Sequence, residues 1–218
     1  TSDSVIVLNT PPEAPEVSVE ESYGGGDDAQ VSAGGYHNCY LNASGTIECW
    51  GNDDFDQVAD TVTDSSYTEV SAGTYHTCGL DTSGNIECWG VEGAVVTDIP
   101  TGTEFTAVSG GGYHNCALDS TGAIECWGTD SDGQVSDAPT GTDFTTVNAG
   151  YSHNCAIDST GAIECWGADG DGQVSDAPTD SDYTVVSAGY GHTCALASSG
   201  TIECWGADSD GQVSDSPT

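Results

Sequence analysis

An all-β fold of five tandem repeats is predicted, and three features of the sequence predict it. First, cysteines recur at Cys39, Cys78, Cys116, Cys155 and Cys194, at intervals of 39, 38, 39 and 39 residues, so five units fill residues 27–218. Second, short β-prone runs alternate with clusters of Gly, Asp, Ser and Pro about every eight to twelve residues, and no apolar pattern of helical period is present. Third, each unit carries Ile-Glu-Cys-Trp-Gly. Repeats of about 40 residues with several short strands suit the blades of a β-propeller, each a small sheet covered on both faces by its neighbours. Five such blades form either a closed five-bladed ring or an arc of a larger propeller.

Residues 1–26 read differently, as an extended Pro- and Gly-rich segment. Val5, Ile6, Val7 and Leu8 make a short β-prone run, and Asn9-Thr10-Pro11-Pro12-Glu13-Ala14-Pro15 after it is a stiff connector. The run resembles the end of an immunoglobulin-like surface domain feeding a linker, or an exposed strand that pairs with a neighbouring sheet edge. As an assembly strand it would associate copies head to tail.

Within each unit the hairpin turn is specified locally. Asp119-Ser120-Thr121-Gly122-Ala123 places a side-chain acceptor at the start of a type I turn and Gly where the chain must turn left-handed, a three-residue hairpin loop. Asp119 then faces Ala123, and the same register sets Cys116 directly opposite Cys126. Opposed Cα atoms roughly 4.5 to 5.5 Å apart fall within the span of a disulfide. The expected bridges are Cys39–Cys49, Cys78–Cys88, Cys116–Cys126, Cys155–Cys165 and Cys194–Cys204. Metal thiolate binding competes, since a His stands two residues before each first Cys, but zinc ligands usually follow C-x2-4-C or H-x3-5-H spacing. Ten evenly spaced cysteines favour an oxidising, extracellular compartment.

The other repeated side chains carry weaker chemistry. His37, His76, His114, His153 and His192 occupy one slot of the repeat, which suits a hydrogen-bonded structural imidazole better than a catalytic one. Trp50, Trp89, Trp127, Trp166 and Trp205 are expected to pack blade against blade. Glu48, Glu87, Glu125, Glu164 and Glu203 have no basic partner and are expected to face solvent or accept backbone hydrogen bonds. Asp130, Asp132, Asp169, Asp171, Asp208 and Asp210 resemble fragments of calcium loops, but they lack the ligand at position 5 and the bidentate Glu at position 12. Turns are their expected role, with no cofactor, and calcium is the alternative. Asn42-Ala43-Ser44 is a glycosylation sequon in the first hairpin turn.

Composition narrows function further. The chain has no Lys or Arg against 36 Asp and Glu, a formal charge of −36. Nucleic acid and anionic membranes are thereby excluded as partners, because both are bound through basic groups. Phosphoryl transfer of the kinase or P-loop kind also needs such groups. Spread along the chain, this charge implies a high-salt milieu, where the Debye length falls to about 3 Å at 1 M. No stretch approaches the roughly 18 apolar residues of a membrane span. No signal segment precedes Thr1, so the chain is expected to begin as a mature or excised product.

Together the strings Ala-Gly-x-Tyr-His-Thr-Cys, Ser-Gly-x-Ile-Glu-Cys-Trp-Gly and Gly-Gln-Val resemble the repeats of the regulator of chromosome condensation family, particularly its secreted Cys-containing relatives. The resemblance implies a β-propeller, usually of seven blades, and a protein-binding or cell-surface role. It does not imply exchange-factor activity, since no basic segment is present. The expected function is a non-enzymatic structural or adhesive propeller of a halophile surface stalk or filament. It would self-associate through Val5–Leu8, with copies of itself or neighbouring surface domains as partners. The alternative is a soluble monomeric protein- or ligand-binding propeller, an inhibitor or receptor-binding module.

Non-reducing peptide mapping with an acid-directed protease should join each cysteine to the one ten residues away, and a bridge between units would defeat the register. Unfolding temperature should rise steeply between about 0.1 and 2 M NaCl as screening relieves carboxylate repulsion, with millimolar calcium adding little.

Overall fold

Every unit folds into the same three-stranded antiparallel meander in the computed structural model, which describes residues 29–58, 66–102 and 104–217. Blade 1 comprises β1 (Gln30–Ala33), β2 (His37–Leu41) and β3 (Ile47–Gly51), and blade 2 comprises β4 (Tyr67–Ala72), β5 (His76–Asp81) and β6 (Ile86–Gly90). After the single-turn helix α1 (Ala94–Thr97), blade 3 follows as β7 (Phe105–Gly110), β8 (His114–Asp119) and β9 (Ile124–Gly128). Blade 4 is β10 (Phe144–Ala149), β11 (His153–Asp158) and β12 (Ile163–Gly167); blade 5 is β13 (Tyr183–Ala188), β14 (His192–Ala197) and β15 (Ile202–Gly206). The assembly strand Val5–Leu8 and the linker after it lie outside the described residues. No helix among these residues is long and apolar enough to cross a membrane.

The hairpin register follows from the turn. Asp119 N–H donates to the Ala123 carbonyl at 2.9 Å, Asp119 Oδ1 accepts from the N–H groups of Thr121 and Ala123, and Gly122 has φ of 82°. Cys116 then pairs with Cys126 across the ladder, and the equivalent pairs recur in all five hairpins. Each pair is a disulfide with Cα atoms 4.1 Å apart. The absence of alternating amphipathicity also has a plain cause: β8 is buried at five successive positions because both faces of its sheet are covered.

The core lies between blades. Cys116, Leu118 and Ile124 of blade 3 pack on Phe144, Val147, Ala156 and Trp166 of blade 4, and the same positions form the junctions 1–2, 2–3 and 4–5. A hydrogen-bond circuit closes each junction. His76 and His114 Nε2 meet Asn115 and Asn154 Oδ1 at 2.6 and 2.7 Å. His37 and His153 Nε2 meet Thr77 and Thr193 Oγ1 at 2.7 and 2.8 Å. Asn115 and Asn154 Nδ2 donate onward to the carbonyls of Val95 and Gln134, and Thr77 Oγ1 to that of Gln57. Those carbonyls also accept Trp127, Trp166 and Trp89 Nε1, while Trp205 Nε1 donates to Gln173.

Helix α1 departs from the all-strand reading. Unit 2 has Gly93-Ala94-Val95-Val96-Thr97 where later units have Gly-Gln-Val-Ser-Asp, and one helical turn presents the Val95 carbonyl in the place of the Gln carbonyl.

Between the two architectures left open by the sequence, the structure shows an arc. Among the described residues five blades make four packed junctions. Trp50 is 41% exposed, against at most 6% for the other four tryptophans. Trp166→Phe, which removes the donor to Gln134, should cost about 1 to 2 kcal/mol by denaturant unfolding. Trp50→Phe in dilute protein should cost less than about 0.5 kcal/mol, because its indole N–H has no described partner.

Candidate functional site: a tyrosine row on the inner edge of the arc

The first strands of successive blades pack on one another and so line the inside of the arc. Their ends and the loops after them form a groove of about 280 Å³ walled by glycines, including Gly34, Gly73, Gly111, Gly150 and Gly189. A methyl group on Gly111 would lie 2.6 Å from the Gly150 carbonyl, so side chains are excluded where the blades converge.

Immediately beyond those glycines stand Tyr36, Tyr75, Tyr113, Tyr151 and Tyr190, one per blade. Their rings touch in succession, with centroid separations of 5.2, 5.6, 6.3 and 4.3 Å, and Phe55 meets Tyr75 edge-on at 5.2 Å. Tyr36 is 59% and Tyr190 73% exposed. Contact with the Tyr36 hydroxyl pushes the Tyr75 pKa up to about 12, and burial raises that of Tyr151, so both phenols stay neutral. The outcome is a continuous, uncharged aromatic strip on an otherwise acidic molecule. Sequence reasoning registered an aromatic before each His but gave it no role. The missed signal was one tyrosine per unit, one residue before the His in units 1 to 3 and two before it in units 4 and 5.

The repeated histidines lie behind this strip as structural groups. Because Asn115 and Asn154 donate from Nδ2 elsewhere, their Oδ1 atoms accept, and His76 and His114 carry the proton on Nε2. Nδ1 is left buried and unpartnered in His37, His76, His114 and His153 among the described residues. Burial lowers all four pKa values, to about 4 for His76 and His153.

The remaining sequence-selected residues have local duties. Asp130, Asp169 and Asp208 each accept, through Oδ1, two backbone N–H groups five and six residues on, and these bonds hold their carboxyls below the usual range. Asp132, Asp171 and Asp210 donate their own N–H to Gln134, Gln173 and Gln212, and no three His, Cys, Asp or Glu among the described residues are grouped as for a metal. Asn42 accepts from Ser44 and Thr46 as Asp119 does in its turn. Of the repeated Glu, Glu48, Glu125, Glu164 and Glu203 face solvent as expected and Glu87 is half-buried; Glu87 and Glu203 in addition accept the hydroxyls of Tyr67 and Tyr183. Phe105 and Phe144 have no hydroxyl to offer.

The profile of the Regulator of chromosome condensation (RCC1) repeat matches residues 29–57, 67–92, 105–134, 144–173 and 184–212. The chain belongs to this family. Among solved structures, the ectodomain of the Physcomitrella patens receptor kinase CR4 is similar at 26% identity and TM-score 0.70, over 82% of this chain and 52% of that one. The CRINKLY WD40 ectodomain of the Arabidopsis thaliana receptor kinase ACR4 is similar at 28% identity and TM-score 0.66, over 82% and 64%. Saccharomyces cerevisiae Prp20p shares the fold at 16% identity and TM-score 0.68, over 83% and 57%. This RCC1-repeat chain thus spans between half and two thirds of these structures. No curated protein sequence matches it.

One junction contains an acid. Glu69 Oε2 accepts the Val108 N–H at 3.0 Å, and burial raises its pKa to about 7, whereas Gln30 serves junction 1–2 as a neutral amide. A raised carboxylate pKa means that stability is lost as pH climbs from about 4.5 to 7. Glu69→Gln should therefore stabilise by about 2 kcal/mol above pH 7, measured by thermal unfolding in molar NaCl, with no gain near pH 4.5. The lowered histidines act in the opposite direction. Their unfolded forms take up protons below about pH 6.5 while the folded forms do not, so stability should fall from there toward pH 4.

Proposed function

We propose that the chain is a non-catalytic, extracellular protein-recognition module that engages its partner through the tyrosine strip. The observation that carries this reading is the row from Tyr36 to Tyr190, whose rings touch in unbroken succession, with the backbone of Tyr36, Tyr75, Tyr113 and Tyr151 hydrogen-bonded. Tyrosine supplies large contact area at low entropic cost, with a hydroxyl for polar contacts at the rim, which is why protein-binding surfaces are rich in it. Commitment of His37, His76, His114 and His153 to the junctions supports a role without catalysis. The five disulfides support an oxidising compartment, and the receptor-kinase ectodomains among the structural relatives point the same way.

A finer reading places this module in a surface stalk, adhesin or filament of a high-salt organism, with Val5–Leu8 anchoring it to neighbouring domains. Uniform negative charge favours partners met in concentrated salt, where only short-range contacts discriminate. The test begins with the disulfide-bonded chain as bait for surface proteins of the source cells in molar salt. The captured partner is then purified and its affinity measured. Tyr113→Ser with Tyr190→Ser should weaken binding at least about tenfold, roughly 1.4 kcal/mol, while Ser83→Ala, in the β5–β6 hairpin turn at the opposite end of its blade, changes nothing. Equal affinity of the tyrosine variant would refute the reading.

A further inference from the structure

The turn at the tip of each hairpin requires of its first residue only an oxygen that accepts hydrogen bonds. In unit 3 Asp119 Oδ1 takes the Thr121 N–H at 2.8 Å, the Thr121 hydroxyl at 2.7 Å and the Ala123 N–H at 2.9 Å. Asp158 does the same in unit 4 with Thr160 and Ala162, and Asp81 serves unit 2. In unit 5 Ala197 has no side-chain acceptor, yet its carbonyl still receives the Gly200 N–H and the turn forms. A carboxylate therefore fills this slot completely, and the slot tolerates less.

Unit 1 alone places a carboxamide there. Asn42 Oδ1 accepts the Ser44 N–H at 2.9 Å, the Ser44 hydroxyl at 2.6 Å and the Thr46 N–H at 3.1 Å, so the oxygen by itself satisfies the turn. Nδ2 is surplus to the turn, and no described residue accepts a hydrogen bond from it. The hydroxyl two residues on completes Asn42-Ala43-Ser44, and Ala43 and Ser44 are both exposed.

We infer that Asn42 is glycosylated on Nδ2, with a polyprenyl-phosphate-linked sugar as the donor. In the transfer the bond from Nδ2 to the anomeric carbon forms as the bond from that carbon to the phosphate oxygen breaks. The phosphate leaves with the electron pair, and one Nδ2 proton passes to a base of the transferase. The product keeps its carbonyl and one N–H, so all three bonds to Oδ1 persist and the turn survives the addition. Room beside this slot does not depend on which blade precedes it. In blade 4, which has a neighbour on each side, the equivalent Asp158 borders an open cleft of about 680 Å³ with Asp143, Ile163 and Glu164. The five disulfides support the same setting, since modification of this kind belongs to surface turns of secreted chains.

Position gives the glycan a direction. Asn42 and Tyr36 stand at opposite ends of β2, separated by about 20 Å of extended chain. A hydrated sugar at the hairpin end obstructs contacts there and leaves the tyrosine strip open.

The full chain secreted by its source cells, cut with an acid-directed protease and analysed by mass spectrometry, tests this. The expected result is a glycopeptide whose sugar is located on Asn42 by fragmentation. Ser44→Ala and Asn42→Asp should each abolish the modification, and Ser44→Thr should retain it. Asn42→Asp keeps the acceptor oxygen, as Asp119 does, so all five disulfides should still form and loss of the sugar cannot be ascribed to misfolding. An unmodified Asn42 peptide from the wild-type chain overturns the inference, as does a sugar that persists in Ser44→Ala. Partner binding through Tyr113 and Tyr190 is measured separately, so failure here leaves that reading standing.

Discussion

A three-stranded sheet with apolar residues on both faces cannot bury them by itself, and everything else in this molecule follows from the way neighbouring blades resolve that. Each junction is sealed by an apolar cluster around Trp, Val, Leu and Ile and is pinned at its centre by an imidazole. The absence of Lys and Arg makes this pin necessary in a specific form. No ammonium or guanidinium exists to neutralise a buried acceptor, so the loop carbonyls at the junctions depend on neutral donors: indole, carboxamide, hydroxyl and N–H. A protonated His76 or His153 there would be a buried charge with no anion to offset it, and burial keeps these imidazoles neutral.

Much of the blade was legible in the sequence because its determinants are local. An Asp four residues before an Ala, with a Gly between them, sets the hairpin, and the hairpin sets the cysteines opposite one another. The histidine slot was equally visible, but its partner was not. That partner lies 39 or 40 residues away, on the following blade, and is Thr at the first and last junctions and Asn at the two between, so no spacing within a unit reveals it. The tyrosine row was obscured in a different way. Its members shift by one position relative to the histidine in units 4 and 5, and only the curvature of the arc brings them into register. Identity among repeats also misleads about exposure. Trp50 reads like the other four tryptophans, and it differs because no described blade precedes its own.

The strip and the junctions divide the aromatic residues by duty. Tryptophans, with a single donor directed at a carbonyl, serve packing between blades, as do Tyr67 and Tyr183 in the strands; the five tyrosines of the strip, carried on loops beyond the glycines, have no such obligation and are displayed. Functional surface is therefore carried by the least constrained positions on the most constrained scaffold, a common arrangement for loops set on a rigid sheet.

The disulfides have a consequence under mechanical load. Each closes only its own hairpin, so none links one blade to another, and a pulling force applied at the chain ends meets non-covalent junctions in series. Blades would be drawn out one at a time, yet every stapled hairpin withholds ten residues from the stretched chain. Each yielding repeat then lengthens the molecule by about 100 Å, rather than the roughly 130 Å of an unstapled one. The withheld hairpin keeps its turn and ladder register while extended, a preformed seed from which the blade can fold again when tension drops.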